Sequence, residues 1–386
     1  MVGIFLFFLY FMKRIRMTLA ALVCCTMAAQ AQTEEFTVAT LNVDGLPQLL
    51  IIPVNPEGPG EKYTPEIADF LLNKKYDIIG VQENFNYYDY LFPKFDAAGY
   101  SRDDCYSKIE IENFRFPYPN DGINALWRSG ITGERTDSVV WVESYGVIDH
   151  ANDGLTNKGF RRYELTLDGG SQIVVYNGHW DASSDADDES GEDIPDRLVR
   201  MKQWRQLRDS VMKHLDNRPV IIMGDANSYY SRDSVKLQVI DEIEATGRAK
   251  MFDAWVELER EGKYPEMEAG AVYHDPGSRG YLRKGEMLDK ILFINPTDGG
   301  KLTALTYSVD SVGYVRSDST VAMLGDHFPV SVKFRIEGAG KETAIREVQM
   351  DRQQQDAYYD LNGRRLNGLP SKKGIYIHRG KKIVVK

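Results

Sequence analysis

Cysteine is scarce in this chain of 386 residues, which contains Cys24, Cys25 and Cys105 and no other cysteine. Cys24 and Cys25 lie in an apolar amino-terminal segment that we expect to be removed. The rest of the chain then keeps Cys105 alone and can form no internal disulfide. Stability must therefore come from a hydrophobic core, for which a hydrophobic content of 42% is sufficient.

Positive charge is also in short supply, and the formal net charge is −10. Three basic and no acidic residues precede Gln32, and residues 351–386 carry nine Lys or Arg and three Asp, which leaves −19 for residues 32–350. A body of that charge repels polyanions at long range unless cations collect at its site. The imbalance disfavours non-specific nucleic-acid binding and favours a metal site.

The amino terminus has the pattern of an export signal. Lys13, Arg14 and Arg16 precede an apolar run, and Ala29-Gln30-Ala31 has the small-x-small form of a cleavage site. An uncleaved membrane anchor is an alternative, but neither apolar half reaches the roughly 20 residues that span a bilayer. A lipoprotein is a second alternative, but Val23, the residue before Cys24, is bulkier than lipoprotein processing usually accepts. We predict a signal peptide over residues 1–31 and a secreted, periplasmic or cell-surface protein.

Short apolar runs alternate with polar loops from Phe36 to Phe334. Runs of strand length cover residues 36–41, 78–81, 172–177, 220–223, 288–294 and 330–334. Helical periodicity lies between them, over Tyr63–Lys75 with Thr64-Pro65 near its start, and over Asp196–Leu215 with an apolar stripe that begins at Leu198. This order predicts an α/β fold, a two-layer β-sandwich flanked by helices, over residues 32–336.

The carboxyl-terminal region differs in composition from the rest. Residues 337–350 are polar and contain glycine, which is typical of a linker. Three short strands with intervening glycine turns are expected within residues 358–385. This small β module, residues 351–386, resembles the tails of exported Bacteroidetes proteins, which implies sorting or surface attachment. An extra hairpin packed on the main domain is the alternative.

Six segments place acidic, amide or imidazole residues at the end of an apolar run. They are Leu41-Asn42-Val43-Asp44, Val81-Gln82-Glu83-Asn84, Asn177-Gly178-His179-Trp180-Asp181, Met223-Gly224-Asp225-Ala226-Asn227, Met287-Leu288-Asp289-Lys290 and Leu324-Gly325-Asp326-His327-Phe328-Pro329-Val330. Alternation along a strand places His179 with Asp181, and Asp225 with Asn227, on one face. A divalent cation would neutralise the converging carboxylates. The oxygen-rich set, which contains no cysteine, favours Mg²⁺ or Ca²⁺ over Zn²⁺.

The order of these motifs resembles that of the endonuclease/exonuclease/phosphatase superfamily over about residues 33–336. The resemblance implies a DNase I-like fold and a metal-dependent phosphoric ester hydrolase, with Mg²⁺ as cofactor and Mn²⁺ or Ca²⁺ as alternatives. It also implies that Glu83 is the principal metal ligand and that Asn42 and Asp326 are direct or water-mediated ligands.

The same resemblance assigns catalytic roles. His327 would take the proton from the attacking water, and Asp289 would accept a hydrogen bond from its other ring nitrogen. His179 would donate to a phosphoryl oxygen or act as an acid near the leaving group. Asp225 and Asn227 would orient the water and the phosphate. Asp181, the acid of the His-x-Asp motif, is the remaining catalytic candidate.

Two departures from the pancreatic-type nucleases bear on the substrate. Asn84 follows Glu83 where those enzymes carry an arginine, and Lys158-Gly159 stands where they place a carboxylate. Lys158-Gly159, together with Phe85, is similar to bacterial neutral sphingomyelinases. This implies that Lys158 binds substrate and that the substrate is a phosphodiester in a phospholipid, with peripheral membrane contact.

The alternatives to a phospholipid hydrolase stay open. A secreted nuclease acting on nucleic acid is the first, a sugar- or inositol-phosphate phosphatase the second, and a catalytically silent surface-binding protein the third. The aromatic segments at residues 86–95 and 114–118 are expected either at a membrane interface or in the core. No protein partner is predicted.

Overall fold

The computed structural model describes residues 33–47, 58–106, 108, 117–144, 150–182, 194–266, 286–318 and 323–338, and parts of the tail between 358 and 385. The predicted signal peptide, most of the predicted linker and residues 114–116 lie outside the described residues. The chain divides into two compact units, Met1–Gly340 and Lys341–Lys386.

Two six-stranded β-sheets form the first unit. In chain order, the strands are β1 (Glu34–Asn42), β2 (Ile78–Gln82), β3 (Ser101–Arg102), β4 (Asn124–Trp127), β5 (Thr132–Val140), β6 (Gly159–Thr166), β7 (Gln172–His179), β8 (Val220–Asp225), β9 (Ala249–Asp253), β10 (Asp289–Pro296), β11 (Lys301–Val309) and β12 (Val330–Glu337). The first sheet has the order β11-β12-β1-β2-β4-β3, and the second has the order β5-β6-β7-β8-β10-β9.

Each sheet contains one parallel pair, and the sequence supplies a helix to connect it. The pairs are β1 with β2 and β7 with β8. A parallel pair needs a long crossover, which helices usually provide. The helices are α1 (Gly60–Lys74), α2 (Tyr88–Ala97), α3 (Ile194–His214), α4 (Asp241–Ala245) and α5 (Ala254–Glu259), with α1 and α3 in the two crossovers. The predicted two-layer α/β sandwich is confirmed.

The hydrophobic core follows the alternation of side chains along the strands. Val38 packs in the same buried cluster as Ile222 of β8, so one face of β1 meets the second sheet. Leu41 belongs to a second cluster with Ile67 of α1, so the opposite face of β1 carries the helix. This two-faced burial is the reason that strands of this kind read as nearly continuous apolar runs.

The helices differ from the prediction at their amino-terminal ends. Helix α1 begins at Gly60 rather than Tyr63, and Thr64 Oγ1 donates to the Gly60 carbonyl oxygen at 2.6 Å, one residue before Pro65. Leu198, predicted on the buried stripe of α3, is 51% exposed, whereas Val199 is buried. None of the helices that the structure describes has both the length and the apolar character needed to cross a bilayer.

The aromatic segment at residues 86–95 contributes three side chains to the core, whereas Tyr87, Tyr88 and Tyr90 are partly exposed. It forms most of α2, whose Leu91, Phe92 and Phe95 are buried in the cluster that also holds Ile67 of α1. Those three side chains are therefore not free to meet a membrane.

The second unit contains a three-stranded antiparallel sheet in the order β13-β14-β15. Its strands are β13 (Tyr358–Tyr359), β14 (Gly374–His378) and β15 (Lys381–Val385). The Tyr358 ring stacks on the His378 ring with centroids 4.1 Å apart. A role of this unit in sorting or attachment stays a prediction.

Candidate active site

The polar residues of the six motifs lie along one rim of the sandwich. The parallel pairs run toward this rim, and the antiparallel strands β10 and β12 begin there beside their partners. The strand ends therefore deliver one residue each to the rim, or to the loop directly beyond it: Asn42, Glu83, His179, Asp225, Asp289 and His327. Half of these residues come from each sheet or from the loop adjoining it.

Two glycines allow the strands that carry His179 and Asp225 to approach closely. His179 and Asp225 are paired in register, and His179 Nε2 lies 3.5 Å from Asp225 Oδ2. A Cβ on Gly224, which has φ 145°, would lie 1.9 Å from the Gly178 carbonyl oxygen. Any side chain at position 224 would push the strands apart, which explains the glycine in the Gly-Asp-x-Asn motif.

Backbone strain is concentrated at the same rim. Asp44, Glu83 and Asn227 adopt left-handed backbone conformations, with φ of 51°, 55° and 48°. Such conformations cost a non-glycine residue roughly 1–3 kcal/mol and collect at functional sites. Gly45 lets the loop after β1 lie directly against the loop after β2. Its N–H donates to the Glu83 carbonyl oxygen at 3.1 Å, and a Cβ there would lie 2.4 Å from that oxygen.

Asn42 links the two sheets through its side-chain amide. Its Nδ2 donates to Glu83 Oε1 at 2.9 Å and to Asp225 Oδ2 at 3.2 Å, and its Oδ1 accepts from the Asp44 N–H at 3.0 Å. The predicted ligand role requires the oxygen to face the cleft. The amide joins two carboxylates as a hydrogen-bond donor, and a metal-ligand role for Asn42 stays a prediction.

Negative charge accumulates around Glu83. Burial, and then the Asp326 carboxylate, raise the pKa of Glu83. Burial, together with the charges of Asp326 and Glu83, raises the pKa of Asp44 to about 9. Burial also raises the pKa of Asp225. The site therefore disfavours full ionisation of its carboxyls in the absence of added positive charge.

His327 and Asp289 form a buried pair. His327 Nδ1 lies 2.8 Å from Asp289 Oδ2, and both side chains are at most 1% exposed. Burial alone would lower the pKa of His327, but the carboxylates of Asp289 and Asp225 outweigh it and raise that pKa well above its usual value. The other ring nitrogen, Nε2, lies 3.6 Å from Asp225 Oδ2. The ring is thus oriented by one carboxylate with its second nitrogen toward the rim.

His179 is a neutral imidazole in this environment. Burial, together with the positive charge of Lys158, lowers its pKa well below the usual value. Its Nε2 lies 3.8 Å from Glu83 Oε1, and its Nδ1 has no hydrogen-bond partner among the described residues. Trp141 Nε1 donates to the His179 carbonyl oxygen at 2.7 Å and fixes the backbone instead.

Asp181 is not brought into this constellation. Its carboxylate accepts hydrogen bonds from Ser144 Oγ at 3.1 Å and from Gln203 Nε2 at 2.7 Å. The expected alternation with His179 does not apply, because β7 ends at His179. Asp181 therefore ties the loop after β7 to α3, and the catalytic role that the motif implied for it has no geometric support.

Asn227 does lie at the cleft, but through loop geometry rather than strand alternation. Strand β8 ends at Asp225, and the Asn227 N–H donates to Asp225 Oδ1 at 3.1 Å. The Asn227 side-chain Nδ2 donates to the Trp180 carbonyl at 3.0 Å. The left-handed turn at Asn227 thus closes back on the carboxylate two residues earlier.

Lys158 supplies positive charge beside these groups. It precedes β6, is 9% exposed, and forms an ion pair with Asp153, whose other carboxylate oxygen accepts from the Ala182 N–H at 2.7 Å. Burial alone would lower the pKa of Lys158, but Asp153 and Glu83 raise it. Lys158 is therefore a buried cation held at the wall of the site.

These groups surround a cleft of about 230 Å³. One wall is apolar, formed by Leu46, Phe85 and Leu155. The polar residues that line the cleft are Asn42, Glu83, Asp153, Thr156, Lys158, His179, Asp225, Asn227, Asp326 and His327. Asp289 does not line the cleft and contacts His327 behind this surface.

The donor set at the rim fits a divalent cation. Burial raises the pKa values of Asp44, Glu83 and Asp225, and neighbouring carboxylates raise those of Asp44 and Glu83 further, effects that a bound cation would oppose. Glu83 and Asp326 offer carboxylate oxygens, which suit Mg²⁺, Ca²⁺ and Mn²⁺. Ligand atoms of Asp225, Asp289 and His327 also lie within 4.8 Å of one another. The hydrogen bond between His327 and Asp289 already brings two of these three residues together, so their closeness does not require a metal.

The protein is a two-layer α/β sandwich that carries carboxylates, two imidazoles and a lysine along one rim. This is the class of proteins with a DNase I-like fold. The chain belongs to the Endonuclease/Exonuclease/phosphatase family, whose model matches residues 39–293. The superfamily predicted from the motif order is thereby confirmed.

Individual relatives agree with this assignment. The chain is 26% identical to a sphingomyelinase of Mycobacterium tuberculosis over 300 residues, which is 78% of this chain and 52% of the relative. It thus spans about half the length of the curated relatives it matches.

Two solved structures share the fold with TM-scores of 0.50: a humanized TDP2 of D. rerio and an endonuclease/exonuclease/phosphatase family protein of Bacteroides thetaiotaomicron. The first is 13% identical and covers 78% of this chain and 98% of its own. The second is 16% identical and covers 79% and 96%. At these identities the likeness shows the fold alone.

Two site residues escaped the sequence reasoning. Asp44 belongs to the first of the six motifs, and its position two residues after Asn42 is the signal that could have identified it. Asp153 had no such signal, because it pairs with Lys158 through a 3₁₀ helix, His150–Leu155, that no periodicity marked.

Proposed function

We propose that this chain is a divalent-metal-dependent phosphodiesterase that hydrolyses a phospholipid such as sphingomyelin by water attack. The observation that carries the proposal is Lys158, a buried cation on the wall of a cleft whose other groups are carboxylates and imidazoles. A single fixed cation in an acidic body suits one phosphodiester group better than the extended backbone of a nucleic acid. The sphingomyelinase relatives support the lipid substrate.

The side chains divide the reaction between them. Water oxygen bonds to phosphorus while the bond from phosphorus to the lipid alcohol oxygen breaks. The positive charge of a bound cation would oppose the raised pKa of His327. The neutral ring then takes the proton of the water at Nε2, and Asp289 keeps the ring in the required tautomer. His179, as a neutral donor, and Lys158 hold the phosphoryl oxygens. The departing oxygen takes a proton from solvent, and His327 returns the proton of the attacking water to solvent.

Glu83 and Asp326 are the residues that would hold Mg²⁺, with Asn42 arranging Glu83. When bound, the cation supplies stabilisation of the charge that develops on the phosphoryl and leaving oxygens. Mn²⁺ and Ca²⁺ are compatible with the same oxygen ligands.

We also propose that the protein is exported, which rests on the basic and apolar pattern of residues 1–31. Export would bring the cleft into contact with lipid surfaces outside the cytoplasm.

The test supplies the purified protein, treated with EDTA and then returned to Mg²⁺, with sphingomyelin vesicles, plasmid DNA and a phosphomonoester in parallel. We expect release of choline phosphate from the vesicles far faster than nicking of the plasmid, and no release without a divalent cation. Efficient nicking of the plasmid without cleavage of the lipid would contradict the proposed lipid substrate. It would not bear on the proposed metal site or on the His327–Asp289 pair.

A further inference from the structure

The active site is assembled from two sheets whose contact is otherwise mainly apolar. Glu83 follows a strand of the first sheet, whereas His179 and Asp225 end strands of the second. The apolar side chains between the sheets, such as Val38 and Ile222, have no directional preference. The alignment of the two halves of the site therefore requires something more specific than apolar packing.

Asn177, which the reaction itself does not use, joins the sheets beneath the site. It lies on β7 and is fully buried. Its Nδ2 donates to the carbonyl oxygens of Val81 at 3.1 Å and Asn124 at 2.8 Å, and its Oδ1 accepts from Gln82 Nε2 at 2.6 Å. All three partners belong to β2 and β4 of the opposite sheet.

The first sheet is shaped to receive this amide. A Cβ on Gly80 of β2 would lie 2.6 Å from Met223 Cε and 3.0 Å from the Asn177 side chain, so glycine leaves room for both. Gln82 is held from its other side by Thr40, whose Oγ1 accepts from Gln82 Nε2 at 3.1 Å. A carboxylate or an aliphatic side chain of similar size could not supply two donors and one acceptor.

We propose that Asn177 is a positioning residue that aligns the sheet carrying Glu83 with the sheet carrying His179 and Asp225. Gln82 directly precedes Glu83, and the groups to be aligned meet across the sheets, with Glu83 Oε1 at 3.8 Å from His179 Nε2. Removing the amide takes their donor from the buried carbonyl oxygens of Val81 and Asn124 in the first sheet and releases this alignment. The activity readout of this inference rests on the proposed substrate, whereas its metal-binding readout rests only on the proposed metal site.

Asn295 offers a matched control. It lies on β10 of the second sheet and forms two hydrogen bonds with Leu302 of β11 in the first sheet. The Asn295 Nδ2 donates to the Leu302 carbonyl oxygen at 3.0 Å, and the Leu302 N–H donates to Asn295 Oδ1 at 2.8 Å. It thus also joins the sheets, but it lies six residues along β10 from Asp289, roughly 20 Å from the site.

The experiment compares Asn177→Leu with Asn295→Leu by thermal melting, Mg²⁺ binding in a calorimeter, and kcat and KM. Both variants should melt at lower temperature. For Asn177→Leu, kcat should fall about 100-fold in the folded protein and Mg²⁺ affinity about tenfold, with a smaller change in KM. For Asn295→Leu, kcat and Mg²⁺ affinity should stay within about twofold of wild type.

Equal kcat and equal Mg²⁺ affinity in the two variants would overturn the positioning role. If Asn177→Leu does not fold, Gln82→Met removes one of the three bonds at nearly constant shape, and normal Mg²⁺ affinity and kcat there would overturn it too. Should wild type hydrolyse no phospholipid, the proposed substrate fails. The calorimetric comparison still supports or overturns the role of Asn177.

Discussion

The His327–Asp289 pair should behave as one catalytic unit. In Asp289→Asn, the new amide donates to His327 Nδ1 and forces the ring proton onto Nε2, the nitrogen that must accept the proton of the water. Because general base catalysis contributes about 10²–10⁴ in rate, we expect kcat to fall by that factor. His327→Ala should lose a similar amount. The double variant should fall no more than about threefold below His327→Ala, because the two changes disable the same step.

The measurement is kcat on sphingomyelin vesicles at saturating Mg²⁺, corrected for the folded fraction from thermal melts. Asp253→Asn is the matched control. Asp253 is a buried carboxylate that accepts from the Tyr230 hydroxyl at 2.6 Å and does not line the cleft. It should lower the melting temperature and leave kcat nearly unchanged. Multiplicative losses in the double variant, or full activity in Asp289→Asn, would refute the pairing.

Four further outcomes are expected. Glu83→Gln should raise the Mg²⁺ concentration for half-maximal activity at least about tenfold, and an unchanged requirement would argue against Glu83 as a ligand. Lys158→Met should lower kcat/KM about 10–100-fold, since a hydrogen bond to a charged group is worth about 1.5–3 kcal/mol; equal kcat/KM would remove Lys158 from substrate binding. Asp181→Asn should lower the melting temperature with kcat within about threefold, whereas a large loss of kcat at normal stability would restore its catalytic role. Truncation after Gly340 should leave kcat and melting temperature of the first unit unchanged, and an inactive, folded product would disprove that independence.

The placement of the site could be predicted because it depends on where strands end. Each motif stood at the edge of an apolar run, and a sandwich with parallel pairs brings such edges to one rim. The closeness of His179 to Asp225 follows from the same logic, with the glycines at 178 and 224 as its local signature.

Two of the failures originate where the chain leaves its regular helices and strands, and one lies within a helix. Strand alternation was extended to Asp181, but β7 had already ended, so the backbone turned its carboxylate toward Gln203. Asp153 pairs with Lys158 through a short 3₁₀ helix that has no apolar repeat. Leu198 fits a helical stripe, yet it is exposed and the next residue, Val199, is buried in its place. Periodicity predicts regular elements and is silent where the chain leaves them.

The contribution of both sheets to one rim has a consequence for folding. The hydrogen bond between Asn42 and Asp225 spans 183 residues, and His327 lies further along the chain still. Contacts at such separations form late and slowly, because a long loop must close before they stabilise anything. A growing chain that stops before Asp289 would already hold Glu83 but would lack the proposed base, His327, and its partner Asp289. Hydrolytic activity should therefore appear abruptly on refolding, together with the last tertiary contacts rather than with the secondary structure.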